Sequence, residues 1–458
     1  MVAGCKTNMK SLIFVLVFIS CFSFLSNPFL DTAGTDSSIF LYVAKLFNDG
    51  GVPYRDVFDQ KGPLIFLIDA IGLKIGGGSF LGVWLLDCLA YACAIFLSFR
   101  LCSKFVEKKY ALLMTLPLSA IYHLFACGGN MPEMYIIVFA LIAYSISIKP
   151  FNRAWSFCDC IVMGICVGAI LMLKLNMITV ALPIVIGWAL RKNKVYNASL
   201  LLVGLALTVL PFFIYFKMND ALESFWEVYV QYNSQYAKPY KFLPVLNRGC
   251  IIMALIFSYN LWLCFDKKMD SEKRFLMRIN LVYFIFAWYA VILSGGTYRY
   301  YGPIIPACIL PIAFSLYRNR RMAGVIAVVS VFVLLATVVQ RNVCHSNATK
   351  IASLDTLLPF IEDKKSLTVL GCDCLAYLHL NAKSPTRFPY HGTIAHKSES
   401  YKKQMLADIV GGNSLYLIEH DNLLENDGPL GMAWAKQYVA ANYVLIAQSG
   451  KYNLYRRR

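Results

Sequence analysis

The sequence predicts a polytopic α-helical membrane protein that ends in a small α/β domain. Of its 458 residues, 58% are hydrophobic and 15% are charged, whereas a typical soluble protein is about 45–50% apolar. Apolar runs of roughly 16–22 residues recur up to about residue 340, the length that a hydrocarbon core of about 30 Å requires of a helix. The sequence after about residue 340 is more polar, with charged and apolar residues mixed. We therefore divide the chain into a membrane domain, 1–344, and a soluble domain, 345–458.

About 11 spans are expected in the membrane domain. They fall near 9–26, 79–102, 110–126, 134–149, 157–173, 177–190, 197–216, 247–265, 275–294, 302–317 and 322–340. The first apolar run follows Lys6 and Lys10 and lacks a small-x-small cleavage pattern, so we expect it to be retained as a span. The apolar segment 64–77 is short and contains Asp69 and Lys74, and the topology depends on its placement.

The distribution of basic residues favours an interfacial position for 64–77. With the N-terminus in the cytoplasm, that position places every strongly basic loop on the cytoplasmic side, as the positive-inside rule requires. These loops lie at 100–109, 149–153, 191–194, 267–274 and 318–321. Topology thus explains the net charge of +17 without a nucleic-acid partner. The first loop and the C-terminal domain then share the outer face of what we expect to be a bacterial plasma membrane.

The C-terminal domain alternates helical and strand-like segments. Strand-like sequence recurs at 366–371, 414–419 and 443–448, each time after a helical pattern. This alternation predicts an α/β domain with a largely parallel sheet. The domain has no glycine-rich phosphate loop, nucleophile elbow or His/Cys metal spacing, and we expect it to cover the site or to recognise an acceptor.

The first loop, from Asp31 to Gly62, concentrates charge beside the membrane. Apolar residues recur at helical spacing over 36–47, within an outer loop at 28–63, and predict an amphipathic helix along the membrane surface. Asp36 begins this helix, where a carboxylate either caps the free backbone amides or acts as a general base. Asp59 and Lys61 follow. They form a juxtamembrane ion-pair network or, alternatively, bind and position an anionic leaving group.

Five further residues are candidates for the same outer face. Glu133 opens a helix in GGNMPEMY, where a favourable interaction with the helix dipole competes with a role in the site. Lys174 and Asn176 interrupt an apolar hairpin, where an ionisable group either faces a cavity or extends to the interface. Arg299 and Tyr300 lie in SGGTYRYYGPIIP. An interfacial aromatic belt explains the tyrosine, whereas an arginine on the outer side indicates anion binding.

The 15 cysteines and the charged residues point to different roles. The cysteines are scattered, many of them inside predicted spans, and buried apolar thiols explain them.

The outer charged residues, in contrast, are the parts of a group transfer with a phosphate leaving group. A carboxylate base removes the proton of an acceptor hydroxyl, while Lys61, Lys174 and Arg299 stabilise the charge that develops on the phosphate. A phosphate diester on a membrane lipid presents that charge at headgroup level.

The first loop resembles that of the GT-C glycosyltransferase superfamily, most closely the protein mannosyltransferase and aminoarabinose transferase relatives. In TDSSIFLYVAKLFNDGGVPYRDVFDQKGPL, Asp36 matches the catalytic acid, and Asp59 and Lys61 match a later pair of an acid and a lysine. Gln60 separates that pair, and Gly62 stands where relatives often have the first proline of Lys-Pro-Pro. GGNMPEMY resembles a GGNxTE-like turn, and YRYYGPIIP resembles a late Tyr/His-rich outer motif.

The resemblance implies an enzyme that transfers a hexose or pentose from a polyprenyl-phosphate donor to an extracytoplasmic glycan, lipid or protein. It implies inversion of configuration, with Asp36 as the general base. No cofactor is implied, and we rank a metal-free mechanism ahead of one in which acidic residues hold a divalent ion. Two alternatives stay open. A lipid-linked glycan flippase or transporter places charges near the midplane, often with internal repeats. A glycan polymerase uses lipid-diphosphate sugars and arginines on a large late loop.

Overall fold

The structure is a computed structural model that describes most of the chain. The described residues are 9–24, 26–30, 34–125, 129–149, 154–181, 187–189, 191–236, 248–293, 302–344, 348–428 and 430–458. Within them, helices build the membrane domain, and a four-stranded sheet lies in the C-terminal domain. The predicted site residues Arg299 and Tyr300 lie outside the described residues.

The helices of the membrane domain follow the apolar segments of the sequence. They are α1 (Met9–Ser20), α2 (Thr35–Asn48), α3 (Pro63–Ile75), α4 (Leu81–Cys102), α5 (Lys108–Leu113), α6 (Thr115–Phe125), α7 (Pro132–Ser147), α8 (Phe157–Leu173), α9 (Lys194–Met218), α10 (Leu222–Phe225), α11 (Asn233–Tyr236), α12 (Arg248–Phe265), α13 (Ser271–Leu293), α14 (Ile305–Arg318) and α15 (Arg320–Cys344). A π-helical segment, Trp226–Tyr232, joins α10 to α11, and a 3₁₀ segment, Leu175–Ala181, follows α8.

Four described helices are long and apolar enough to cross a membrane, and they make the chain a membrane-embedded protein. They are α4, α9, α13 and the Ala323–Asn342 part of α15. Five shorter apolar helices, of 10–17 residues, accompany them: Lys10–Ser23, Pro132–Ser147, Phe157–Leu173, Ile251–Phe265 and Ile305–Arg318. The count of about 11 spans and the orientation of the termini stay predictions.

Two of the predicted spans differ from the helices of the structure. The segment 110–126 is broken at Met114 into α5 and α6. Pro117 lies in the first turn of α6, where its missing amide hydrogen is tolerated, so the sequence favours a new helix start there. The segment 177–190 starts within the 3₁₀ turn because the extended backbone of Lys174 ends α8 just before it.

The helix α3 covers most of the segment 64–77, whose interfacial position stays a prediction. Its 13 residues are about 20 Å long, too short for a hydrocarbon core of about 30 Å. Pro63 occupies its first turn, where proline is tolerated. The helix packs against α2 and against the start of α4, so the first loop and the bundle form one packed unit.

The C-terminal sheet has the strand order β1-β2-β4-β3. Its strands are β1 (Leu367–Leu370), β2 (Tyr416–His420), β3 (Tyr443–Ser449) and β4 (Tyr452–Arg457). Only β1 and β2 are parallel, with Leu367 opposite Tyr416. The prediction of a largely parallel sheet is therefore wrong, since β4 pairs antiparallel with both β2 and β3. The two-residue connection between β3 and β4 is long enough only for a hairpin.

Helices surround this sheet and complete the C-terminal domain. They are α16 (Ala348–Leu357), α17 (Leu375–His379), α18 (Gly392–Lys397), α19 (Glu399–Gly411) and α20 (Lys436–Asn442). The domain contacts α2 through backbone amides: Cys374 N–H donates to Ser38 Oγ at 3.0 Å, and Ser384 N–H donates to the Tyr42 hydroxyl at 2.7 Å. These bonds fix the position of the first loop from outside the bundle.

Candidate active site in the first loop

Asp36 lies in the first turn of α2, which begins at Thr35 after Gly34. The N-cap position is taken by Gly34, and no side-chain hydrogen bond caps the helix there. Asp36 therefore lies in the first turn of the helix rather than at its N-cap, and both interpretations of its carboxylate, the capping of free amides and the general base, stay predictions. Its carboxylate is half-buried at the positive end of the helix dipole, an environment that favours negative charge.

Asp59 and Lys61 lie beside the start of α2. Asp59 is 2% exposed, and its Oδ1 accepts a hydrogen bond from the Lys61 amide at 3.0 Å. Burial raises the pKa of Asp59 to about 6; the charge of Asp36 adds to the rise, and the charge of Lys61 opposes it. The Lys61 ammonium nitrogen lies 5.4 Å from the ring centroid of Phe40, one helical turn beyond Asp36. The structure thus brings together Asp36, Asp59 and Lys61.

The turn that carries this pair is fixed on both sides. The Tyr54 hydroxyl donates to the Lys61 carbonyl, and Asn233 Nδ2 donates to the Gln60 carbonyl, each at 2.6 Å. The Gly62 amide donates to the Leu173 carbonyl at 3.1 Å. A Cβ added at Gly62 would lie 2.0 Å from the backbone oxygen of Met172.

The glycine that departs from the Lys-Pro-Pro pattern therefore has a structural reason. The end of α8 passes so close to Gly62 that no side chain fits between the two backbones. A proline at this position would also lack the amide hydrogen that bonds to Leu173. Gly62 is thus the residue that lets the first loop lie directly against α8.

Glu133 and Lys174 form a buried ion pair. Their Oε1 and Nζ atoms are 2.6 Å apart, and the side chains are 1% and 13% exposed. Glu133 lies in the first turn of α7, whereas Lys174 ends α8, directly after the segment that contacts Gly62. Asn176 is half-buried in the turn that follows. Glu133 thus lies at the helix start that favours its charge and also pairs with Lys174, and its role in a substrate site stays a prediction.

The glycine in the later half of the late outer motif reaches the same cluster. Gly302, which follows YRYY in the sequence, packs against Glu133, because a Cβ added to it would lie 3.2 Å from the Glu133 Cβ. The prediction that this motif belongs to the site rests on Arg299 and Tyr300, which lie outside the described residues, and stays a prediction.

A buried polar network links the first loop to the bundle, and the sequence analysis did not identify it. Asn130 Nδ2 donates to Ser37 Oγ at 2.9 Å and to Asp69 Oδ2 at 3.0 Å. The Asn130 amide donates to Asp87 Oδ2 at 2.7 Å, and the Tyr135 hydroxyl donates to the other oxygen of Asp87 at 2.9 Å. Ser37 is the neighbour of Asp36, so the network positions the first turn of α2. The sequence signal that could have revealed this network is a carboxylate inside each of two apolar helices, Asp69 in α3 and Asp87 in α4.

The C-terminal domain adds a tyrosine that the sequence analysis also missed. The Phe58 amide donates to the Arg387 carbonyl at 2.7 Å, and the rings of Phe58 and Phe388 are 5.2 Å apart. The same segment continues to Tyr390, whose pKa is raised by burial and by the charges of Asp59 and Asp36. Tyr390 is therefore close enough to the two carboxylates to sense their charges, from a position more than 300 residues later in the chain.

An apolar groove opens at the start of α3, directly after the charged turn. It has a volume of about 490 Å³. Its walls come from the end of α2, the start of α3, α8 and α9, and include Phe47, Pro63, Leu67, Leu207, Pro211 and Phe212. Pro63 lies two residues after Lys61, so the groove starts where the charged turn ends. Such a groove can hold a hydrocarbon chain.

The described residues contain no group of three His, Cys, Asp or Glu side chains that fits a metal ion. The rank of a metal-free mechanism over a metal-dependent one stays a prediction.

The fold is shared with solved membrane proteins. ArnT from Cupriavidus metallidurans bound to undecaprenyl phosphate matches with a TM-score of 0.67 and 13% identity, over 99% of this chain and 98% of that chain. The apo state of the same protein matches with a TM-score of 0.65 and 12% identity, over 98% of this chain and 96% of that chain. The Archaeoglobus fulgidus oligosaccharyltransferase, in complex with Zn and sulfate, matches with a TM-score of 0.56 and 14% identity. The match covers 90% of this chain and 68% of that chain. These matches confirm the GT-C fold that the first loop predicted.

The class is thus a membrane protein with the GT-C fold. A protein-family model described as "Putative competence-induced protein Ccs4 N-terminal domain" matches residues 3–323, and the chain belongs to this family. No curated protein matches the sequence.

Proposed function

We propose that this protein is an integral-membrane glycosyltransferase that moves a monosaccharide from a polyprenyl-phosphate donor to an extracytoplasmic glycan, lipid or protein. The observation that carries the proposal is the convergence of Asp36, Asp59 and Lys61 beside an apolar groove. A base and a cation near a channel for a hydrocarbon chain are what a lipid phosphate donor requires. The fold shared with ArnT, which is solved with undecaprenyl phosphate, supports the same donor class.

The reaction is a single displacement at the anomeric carbon. Asp36 accepts the proton of an acceptor hydroxyl, and the hydroxyl oxygen forms a new bond to that carbon. The bond from the carbon to the phosphate oxygen breaks, and its electron pair leaves with the polyprenyl phosphate. Attack from the side opposite the leaving group inverts the configuration. The proton ends on the Asp36 carboxylate.

The remaining charged residues act on the leaving group and on the loop. The Lys61 ammonium stabilises the negative charge that develops on the phosphate. Asp59 orients Lys61 by accepting its backbone amide hydrogen bond. The Glu133–Lys174 pair supports α8 where it contacts Gly62, and Lys174 provides a second positive charge near the loop. The apolar groove holds the first part of the lipid chain.

The test is sugar transfer from a panel of radiolabelled polyprenyl-phosphate sugars by the full-length protein in detergent, with Asp36→Asn as the variant. Without a general base we expect the rate to fall by about 10²–10⁴-fold. The melting temperature and the affinity for polyprenyl phosphate should stay unchanged. Asp427→Asn, an exposed position of the C-terminal domain, is the control and should keep full activity.

Three outcomes separate the alternatives. Loss of transfer in a folded Asp36→Asn protein supports the proposal. Transfer that survives in this variant keeps the glycosyltransferase and removes Asp36 as its base. The absence of transfer from every donor, together with movement of lipid-linked glycans across liposomes, overturns the proposal in favour of a flippase.

A further inference from the structure

A second cavity lies on the other side of α2, between this helix and the C-terminal domain. It has a volume of about 550 Å³. Tyr42, Lys45 and Asp49 line it from α2, at spacings of three and four residues that place them on one helical face. Lys45 comes nine residues after Asp36, which at 3.6 residues per turn corresponds to a rotation of about 180°. This cavity is therefore separate from the candidate active site.

The lining of this cavity is strongly basic, and we call it the lysine cleft. Lys364, Lys365 and Lys383 of the C-terminal domain face Lys45 across it. Asp49 is its only lining acid, and it lies 3.4 Å from the Lys45 ammonium. Within the described part of the chain, the other three lysines form no ion pair within 4.0 Å. A cleft lined by one sign of charge concentrates its electric field and attracts the opposite charge.

The rest of the lining mixes polar groups with the apolar side chains of Leu46, Ala382 and Pro385. Asn381 and Tyr42 add an amide and a hydroxyl group, and the Ser384 hydroxyl, which donates to the Thr386 carbonyl at 2.9 Å, keeps some acceptor capacity. None of the large exposed hydrophobic side chains of the described residues belongs to this lining, whereas the groove beside the active site is almost wholly apolar. The cleft also lies on the predicted outer side, where the positive-inside rule does not account for a group of lysines.

We propose that the lysine cleft binds an anionic glycan, a sugar polymer that carries carboxylate or phosphate groups. The lysines pair with the charges, and the amide and hydroxyl groups bond to the sugar hydroxyls. Lys45 lies about 13 Å from Asp36 along α2, so a glycan in the cleft is held near the active site but outside it. The binding does not require transfer, and it can be measured whether or not the proposed enzymatic function holds.

The experiment measures the binding of a fluorescent hexagalacturonate to the full-length protein in detergent, by fluorescence anisotropy. Maltohexaose is the neutral probe and should not bind. The double reversal Lys364→Glu/Lys365→Glu should weaken binding about tenfold, because it removes two attractive charges and adds two repulsive ones. Raising the salt from about 50 to 300 mM should weaken the binding of the unaltered protein as well.

The chain offers a matched control for the charge reversal. Lys402 and Lys403 form a second lysine doublet in the same domain, on α19, and neither lines the cleft. The reversal Lys402→Glu/Lys403→Glu changes the net charge equally and should alter binding less than about twofold. If the reversal at Lys364 and Lys365 lowers the melting temperature, the neutral variant Lys364→Gln/Lys365→Gln should still lose about threefold in affinity.

The proposal is overturned by any of three results. The first is equal weakening by both doublet reversals, which indicates attraction by net charge alone. The second is equal affinity for hexagalacturonate and maltohexaose. The third is binding to phosphatidylglycerol vesicles that depends on Lys364 and Lys365 while hexagalacturonate does not bind, which makes the cleft a lipid headgroup site.

Discussion

Asp59 and Asp87 are both buried carboxylates, but the surroundings of the two side chains differ. Asp87 accepts hydrogen bonds from the Ser26 hydroxyl, the Tyr135 hydroxyl and the Asn130 amide, so both of its oxygens are satisfied. Asp59 accepts one bond at Oδ1, and its Oδ2 has no partner among the described residues. Both side chains are at most 2% exposed.

The difference predicts a structural role for Asp87 and a functional one for Asp59. A buried polar group with all its bonds made stabilises one arrangement of the chain, whereas an unsatisfied one reduces stability and usually has another reason to be present. Asp87 holds the turn before α7 against α4. Asp59 keeps a buried oxygen without a hydrogen-bond partner near Lys61, and we predict a functional role for it. Substitution of the carboxylate is therefore expected to lower the stability of the protein at Asp87 and to raise it at Asp59.

The largest effect is expected for Asp87→Ala. This change leaves the donors of Ser26, Tyr135 and Asn130 buried without an acceptor, and each such donor costs about 1–3 kcal/mol. We expect a loss of stability of about 3–5 kcal/mol in total. The measurement is the melting temperature of the purified protein in detergent, together with the yield from membranes.

The matched control for Asp87→Ala is Asp270→Ala, at an exposed carboxylate paired with Lys273. The exposed pair contributes up to about 1 kcal/mol, and the Lys273 amide hydrogen bond that Asp270 accepts at the start of α13 contributes about 1 kcal/mol more, so this variant should lose clearly less stability than Asp87→Ala. Equal melting temperatures for Asp87→Ala and Asp270→Ala would show that Asp87 is not the structural residue that its hydrogen bonds indicate.

Local patterns in the sequence predict most of the elements and the core of the candidate site. The apolar spacing over 36–47 predicts α2, and the strand-like segments predict β1, β2 and β3 near their observed positions. Asp59 and Lys61 are two positions apart, and that closeness predicts their contact. Such inferences need only residues that are near each other in the chain.

Contacts between distant segments could not be predicted in this way. Ser37 and Asn130 are 93 positions apart, and Asn130 and Asp87 are 43 apart. Tyr390 reaches the site only because the C-terminal domain folds back over α2. The direction of a strand also depends on distant contacts, because a strand-like pattern does not specify its partner. The sheet was predicted to be largely parallel, whereas β4 pairs antiparallel with β2 and β3. One sequence contains no information on such pairings beyond residue type.

A smaller effect, of opposite sign, is expected for Asp59→Asn. The pKa of Asp59 is about 6 in the folded protein, above the usual 3.8. Between these pH values the folded state binds the additional proton, so the contribution of Asp59 to stability decreases as the pH rises from about 4 to 6. Asparagine removes this penalty. We expect the variant to gain up to about 3 kcal/mol over the unaltered protein at neutral pH, and nearly nothing at pH values near 4.

The measurement for Asp59→Asn is the difference in melting temperature between variant and unaltered protein at acidic and at neutral pH. Sugar transfer, if the proposed function holds, should decrease in the same variant, because Asp59 orients Lys61. Greater stability with lower activity is the behaviour of a functional residue. A variant that is less stable at neutral pH would instead place Asp59 with Asp87, as a structural carboxylate.

The smallest effect on stability is expected for Asn130→Gly, which tests the link between the two regions. Asn130 has a backbone φ of +45°, a conformation that glycine adopts freely, so this variant removes the side chain without straining the turn. It deletes the hydrogen bonds to Ser37 and Asp69 and should cost about 2 kcal/mol. Because Ser37 is next to Asp36, the turnover rate should fall by about 10–100-fold while KM changes little. Asn193→Gly, at an exposed asparagine with a φ of +57°, is the matched control. If both variants lower the turnover rate equally, the network does not position Asp36, and the carboxylates of the bundle and of the first loop act independently.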